Sequence, residues 1–440
     1  MNLKENSGIK LWNKAKKLIP GGNQLLSKRA EMFLPDLWPS YYKKAKGIEV
    51  CDLDNNTYLD FTIMGIGSTI LGYADDFVNK AVKDAVDSGS MSTLNCPEEV
   101  ELAELLIKIH PWAQMVRFAR SGGESMSVAV RIARAHTGKD KIAFCGYHGW
   151  SDWYLATNLV DEKNLDSHLL SGLDPKGVPK VLQGTVFPFS YNKIEELEEI
   201  VAKHKDIGVI VVETLRHTEP IDNFLEKIRI IADKLGAVLV FDEITIGWRL
   251  NIGGAHLLYN VEPDIAVFGK AIANGYPMGA IVGKEKVMQS AQDTFISSTF
   301  WTERVGFAAA LATIKRLTEL NVPQHLKKIG KMIGEGWIDL AQKNNLKLKV
   351  LPPEALVTFS LDYGKENQVI RTLFTQEMLK RGFLATPSVY LSYAHKEDDV
   401  KKYLDAVGEV FPIIKKAIDL GNIDSLLEGP VAHSGFQRLT

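Results

Sequence analysis

Between about residues 76 and 320 the chain alternates short, almost wholly apolar runs with longer stretches in which apolar positions recur every three or four residues. The runs are MVRFA (115–119), KIAFC (141–145), DIGVIVVE (206–213), GAVLVFDE (236–243), DIAVFGK (264–270) and GAIVG (279–283). A strand that lacks polar alternation is covered on both faces, and intervening helices supply the cover. The pattern therefore predicts βαβ units, a mostly parallel central sheet and an α/β fold for residues 76–330. In ESMSVAVRIARAHTG the pairs Val128/Ile132 and Ala129/Ala133 repeat at i, i+4 before Gly138 ends the helix. Residues 1–75 read as an arm and small meander: an amphipathic helix (LWNKAKKLI), a Pro-Gly-Gly break at 20–22, and strand pieces around DLDNNTYLDF. Residues 331–440 are predicted to form a smaller α+β domain, whose strands and helices follow a Lys-rich stretch near 342–349. Its elements are a strand (ALVTFSLDY), a helix (NQVIRTLFTQEMLKRG), a second strand (PSVYLSYA) and a helix (EDDVKKYLDAVGEVFPIIKKAI).

A length of 440 residues exceeds one ordinary core, which agrees with this division. The 52 basic and 54 acidic residues nearly cancel, so no electrostatic footprint for nucleic acid or an anionic membrane is expected. The longest apolar runs, such as IGVIVV at 207–212, fall far short of the ~20 residues that cross a bilayer, and MNLKENSGIK has no apolar signal core. Cys51, Cys96 and Cys145 are odd in number and far apart, which argues against a disulfide framework and fits a cytoplasmic location; they are assigned no chemistry.

In parallel α/β sheets ligands collect beyond the carboxyl ends of the strands, so polar residues just after the apolar runs are the candidates. MVRFARSGGES runs into Gly122 and Gly123 before a helix, where backbone N–H groups can approach a phosphate; a plain tight turn is the alternative. Asp242 and Glu243 end another strand, where a carboxylate is costly to bury without a partner. A metal is disfavoured, since no histidine stands at ligand spacing and His256 has no evident companion. Lys270 follows a third strand in a glycine-studded turn, where lost hydration can make a lysine a usable nucleophile. An acid for a pyridine nitrogen, a lysine for a Schiff base and a glycine turn for a phosphate are together the demands of pyridoxal phosphate (PLP).

At these motifs the sequence resembles the class III, fold-type I PLP aminotransferases, in particular the glutamate-1-semialdehyde aminomutase-like branch, from KLIPGGNQLLSKRA to beyond SSTFWTER. The resemblance implies that Lys270 in FGKAIANGYP is the Schiff-base lysine and that Asp242 in FDEITIGWR pairs with the pyridine nitrogen. It places Ile244 beneath the ring in place of the usual valine and Tyr147 of CGYHGW on the other face. Gly122 and Gly123 match the phosphate turn, although the family commonly has Thr where Gly123 stands. Thr299 in SSTFW is similar to a threonine that reaches the phosphate of the neighbouring subunit, which implies a homodimer with active sites at the interface. Glu213 matches a glutamate near the cofactor, with Thr214 where Pro is usual, and Arg29 lies in the segment in which aminomutases carry an arginine for the substrate carboxylate. Trp150, Trp153 and Trp301 flank these motifs and fit either a bulky substrate pocket or ordinary packing. The implied activity is ping-pong amino transfer from an amino donor, expected to be glutamate, to an aldehyde or keto acceptor; an intramolecular 2,1-aminomutase is the close alternative. A nucleotide-binding protein without catalysis would need GxGxxG, which RSGGES lacks.

Overall fold

The computed structural model describes residues 6–168 and 171–439. The chain divides into two compact units, Asp76–Pro323 and a second formed by Met1–Asp75 with Gln324–Thr440. The later break falls in the first turn of the helix Val322–Lys343, a little before the 330 expected from polarity, because one helical period runs through that boundary.

In the second unit, strands β1 (Tyr42–Lys46), β2 (Glu49–Asp52) and β3 (Thr57–Phe61) form an antiparallel meander. The large unit holds β4 (Met115–Ala119), β5 (Lys141–Cys145), β6 (Val186–Pro188), β7 (Ile207–Glu213), β8 (Val238–Asp242), β9 (Ile265–Phe268) and β10 (Gly279–Gly283). These seven make one sheet in the order β4-β10-β9-β8-β7-β5-β6. Strand β10 runs antiparallel to both of its neighbours, and the other pairings are parallel. Both faces are covered, as the apolar runs predict. Ile142, Phe144, Val209, Val211, Val238 and Val240 join one apolar cluster with the helix Gly122–Thr137, while the intervening Ala143, Ile210, Val212, Leu239 and Phe241 join another with the helix Phe224–Leu235. Truncating a side chain such as Phe241 to alanine is expected to cost about 3–5 kcal/mol.

The remaining strands belong to the second unit: β11 (Leu348–Leu351) pairs with β12 (Thr358–Leu361), and β13 (Phe383–Ala385) lies parallel to β3. The helices Asn367–Lys380 and Glu397–Leu420 follow the predicted periodicity. The strand expected over PSVYLSYA does not form. That segment carries only a bridge at Ser388, and the amides of Val389, Tyr390, Leu391 and Tyr393 go in turn to the carbonyls of Val357, Thr62, Ala355 and Ile70. Val389, Tyr390 and Leu391 are buried and their amides satisfied, but by alternate neighbours rather than one ladder. Among the described residues no helix is long and apolar enough to cross a membrane.

Candidate active site

Parallel pairing in register brings Glu213 at the end of β7 opposite Asp242 at the end of β8, and Asp242 opposite Val267 of β9, three positions before Lys270. Three polar groups from separate runs thus emerge at one sheet edge.

Asp242 is nearly inaccessible, at 4 % exposure, and both of its oxygens are engaged. Oδ1 accepts the Ile244 amide at 3.0 Å, and Oδ2 lies 2.9 Å from Nδ1 of the buried His148. The other His148 nitrogen, Nε2, faces the Cys145 carbonyl at 3.1 Å. The imidazole thus bridges the carboxylate and a backbone carbonyl, which fixes the carboxylate in place. The neighbouring Glu243 turns away. It accepts from Thr214 Oγ1, the amides of Ala255 and His256, and His256 Nδ1 at 2.8 Å, while Trp112 Nε1 donates to His256 Nε2. Burial alone would raise the pKa of Glu243, but these hydrogen bonds, that from His256 foremost, hold it below the usual value. His256 therefore does have a companion, close in space but not in sequence.

Lys270 leaves β9 with a left-handed φ of 45° and donates from Nζ to Thr245 Oγ1 at 2.9 Å. Burial, and then the Arg216 cation, lower its pKa to about 8, against the pull of Glu213 and Asp242. A lysine in such a setting is a nucleophile near neutrality.

The helix Gly122–Thr137 begins at the glycine pair, with Glu124 accepting from the amides of Arg120 and Ser121. A Cβ on Gly122 would lie 3.2 Å from Ile244 Cδ1, one on Gly269 would lie 3.4 Å from Ile244 Cγ2, and one on Gly149 would come within 2.8 Å of Gly123 Cα. The glycine turn, Ile244, the residue before Lys270 and the loop after Tyr147 therefore enclose one place. A helix N-terminus opened by glycine suits an anion.

Glu213 Oε2 accepts the Tyr147 amide at 3.0 Å and lies 3.6 Å from Arg216 Nη1. A Cβ on Gly146, at φ 112°, would strike that carboxylate at 2.7 Å. Tyr147 packs edge-on against Tyr154, with centroids 6.0 Å apart; burial, and then Asp242, raise its phenol pKa. Beside Glu213 a cavity of about 320 Å³ is lined by Arg216, His217, His168, Tyr191 and Ser190 among others. Burial lowers His168 and His217 to about 4, which leaves Arg216 as the cation of that cavity.

The structure thus gathers Gly122, Gly123, Tyr147, Glu213, Asp242, Ile244 and Lys270. Thr299 stands apart from them. It is exposed at the start of a short 3-10 turn, next to the exposed Phe300, and its carbonyl accepts from Thr302. Arg29 lies in the second unit, where Nη1 donates to the Gln437 carbonyl at 3.0 Å and the guanidinium sits 5.5 Å from the Phe436 ring. Trp153 is core, Trp301 packs against the same cluster, and Trp150 is 74 % exposed beside Gly123. Sequence reasoning missed His148, Thr245 and Arg216. The only local signal was adjacency to assigned residues, as for His148 after Tyr147, because their partners are distant in sequence.

Residues 35–384 match the family Aminotransferase class-III. The 3-aminobutyryl-CoA aminotransferase of Cloacimonas acidaminovorans is 30% identical over 429 residues, covering 94% of this chain and 99% of that protein. A glutamate-1-semialdehyde 2,1-aminomutase of Francisella tularensis is 32% identical over 430 residues, covering 91% and 97%. The FumI protein of Sphingopyxis sp. MTA144, solved in its PLP internal aldimine form, superposes with a TM-score of 0.84 at 26% identity over 94% of this chain and 97% of that one. The fold is fold-type I, and the buried acid, low-pKa lysine and glycine cradle fit PLP. The chain belongs to the class III aminotransferases, a family of PLP-dependent enzymes.

Proposed function

We propose that this protein transfers an amino group from an amino-acid donor, glutamate in the first instance, to an aldehyde or keto acceptor of a biosynthetic pathway. The reading rests on one juxtaposition: a lysine amine of pKa about 8 and a clamped carboxylate at the same sheet edge as a glycine-opened helix. Bound PLP supplies an electron sink for the substrate carbon that loses or gains a proton. Lys270 Nζ would hold the cofactor and, as a free amine steadied by Thr245 Oγ1, would carry that proton. Asp242, held by His148, keeps a proton on the ring nitrogen. Gly122 and Gly123 would offer amides to the phosphate, and Ile244 and Tyr147 would flank the ring. Glu213 positions Tyr147 through its amide.

Thr299 is assigned to the phosphate site of a second copy. Exposed Leu94, Phe295 and Phe300 support this homodimer; they lie on segments tied together by the Arg304 amide to the Ser90 carbonyl and by Thr302 to Met91. Arg29 is assigned to the substrate acid. The Francisella tularensis relative supports a second reading, an aminomutase in which one molecule is both donor and acceptor.

Borohydride reduction of the holoenzyme followed by peptide mapping is expected to label Lys270; label on another lysine overturns the site. A screen of carbonyl acceptors against the pyridoxamine form then separates the readings. Return of the aldehyde spectrum with glutamate semialdehyde alone selects the aminomutase.

A further inference from the structure

The unit formed by Met1–Asp75 with Gln324–Thr440 contains a half-buried cation that the reaction above does not use. Arg371 stands in the helix Asn367–Lys380 between Ile370 and Thr372-Leu373-Phe374, all at 0% exposure. Its Nη2 donates to the Met32 carbonyl at 3.0 Å. Among the described residues no carboxylate forms an ion pair with it, and burial, unopposed by any acid, lowers its pKa. A guanidinium has five donors, and one carbonyl leaves most of that capacity unused. A charge held partly out of water on a cavity wall is stabilised by a group of opposite sign.

Beside the guanidinium a cavity of about 310 Å³ is lined by Ser27, Phe33, Ile63, Thr386 and Ser388 together with Arg371. Thr386 Oγ1 is used by the Ser388 carbonyl and Ser388 Oγ meets Thr358 Oγ1 at 3.0 Å, so the Ser27 hydroxyl adds the further donor. Immediately after Ile63 the chain passes through four residues of positive φ, Met64, Gly65, Ile66 and Gly67, and strain of that kind collects at ligand clamps. The volume exceeds that of a lone anion and suits a small organic acid or phosphate ester.

We propose that this cavity binds the anionic group, carboxylate or phosphate, of a small molecule, with Arg371 as counter-charge and the Ser27 hydroxyl as flanking donor. The assignment does not depend on the amino-transfer reading. The anion is either the acid of a substrate or that of a separate effector.

The test is the thermal midpoint of PLP-loaded protein, whose cofactor phosphate site is already filled, titrated with inorganic phosphate or succinate against chloride of equal ionic strength. One of the two anions is expected to raise the wild-type midpoint saturably by on the order of 2 °C or more. Arg371→Met is expected to melt higher than wild type in chloride, since an uncompensated charge is gone, and to lose the anion increment. Ser27→Ala, at the rim, is expected to fold unchanged and weaken the increment at least about threefold. Steady-state kinetics then assign the source. A tenfold or larger rise in KM for acid-bearing substrates in Arg371→Met, with kcat held, identifies a substrate acid; unchanged KM with retained phosphate binding in wild type identifies an effector. If neither anion exceeds chloride in wild type, or Arg371→Met or Ser27→Ala keeps the full increment, the proposal is overturned.

Discussion

The depressed pKa of Lys270 has a consequence that can be measured as a rate. At pH 7 an amine of pKa about 8 is roughly one-tenth neutral, whereas at the ordinary 10.5 it is about 0.03% neutral, a ratio of about 300. Only the neutral amine adds to an aldehyde. Uptake of PLP by cofactor-free protein, followed by the cofactor's visible absorbance and normalised to N-acetyl-lysine, should therefore show an amine midpoint near 8. The causes predict opposite signs for two variants. Arg216→Met removes the cation that disfavours the charged amine and moves the midpoint up; a rise of half a unit lowers uptake at pH 7 about threefold. Glu213→Gln removes an acid that favours the charged form and moves it down, while its side-chain oxygen can still accept the Tyr147 amide. Linkage adds a third readout. Because the folded pKa lies below the unfolded one, the unfolded chain holds more protons between about pH 8 and 10.5, and the cofactor-free protein should gain stability to urea as pH rises through that window. Lys270→Met should abolish that gain. A midpoint near 10.5, or shifts of the same sign in Arg216→Met and Glu213→Gln, would refute the electrostatic argument.

Gly149→Ala places a methyl 2.8 Å from the Gly123 backbone at a φ of 102°, and should lose PLP on dialysis and about 2 kcal/mol of stability. Gly123→Ala meets the exposed Trp150 indole at 3.2 Å, which can swing aside, and Gly149 Cα at an ordinary 3.7 Å, so its absorbance after dialysis should stay close to wild type. Asp242→Ala strips the acceptor from His148; it should lower turnover at least about a hundredfold and cost about 1–3 kcal/mol in a urea melt, with circular dichroism unchanged. Phe300→Glu combined with Leu94→Glu should shift the sedimentation mass to one chain and weaken PLP retention, since both apolar residues are exposed in the single chain.

Local pattern was informative wherever one residue's environment was set by its neighbours in sequence. β7 and β8 carry no polar residue between their ends, so they had to be covered on both faces, and the acids that end them had to face a ligand or a partner. The segment 387–394 shows the limit of that logic. Its apolar residues require burial, but whether its amides find one neighbouring strand or several separate carbonyls is decided by Thr62, Ile70, Ala355 and Val357, remote positions that no short window contains. The same holds for the site's hidden half. Asp242 announced the need for a partner, yet His148 is 94 positions away and meets it only because β5 and β8 end at one edge of the same sheet. Thr214 is the sharpest case. It stands where the family pattern has proline; in the fold its hydroxyl donates to Glu243 at 2.9 Å, while Glu213 keeps the Tyr147 amide and Arg216. A departure at one strand end is taken up by the acid on the next strand, and Glu213 beside it faces the pocket.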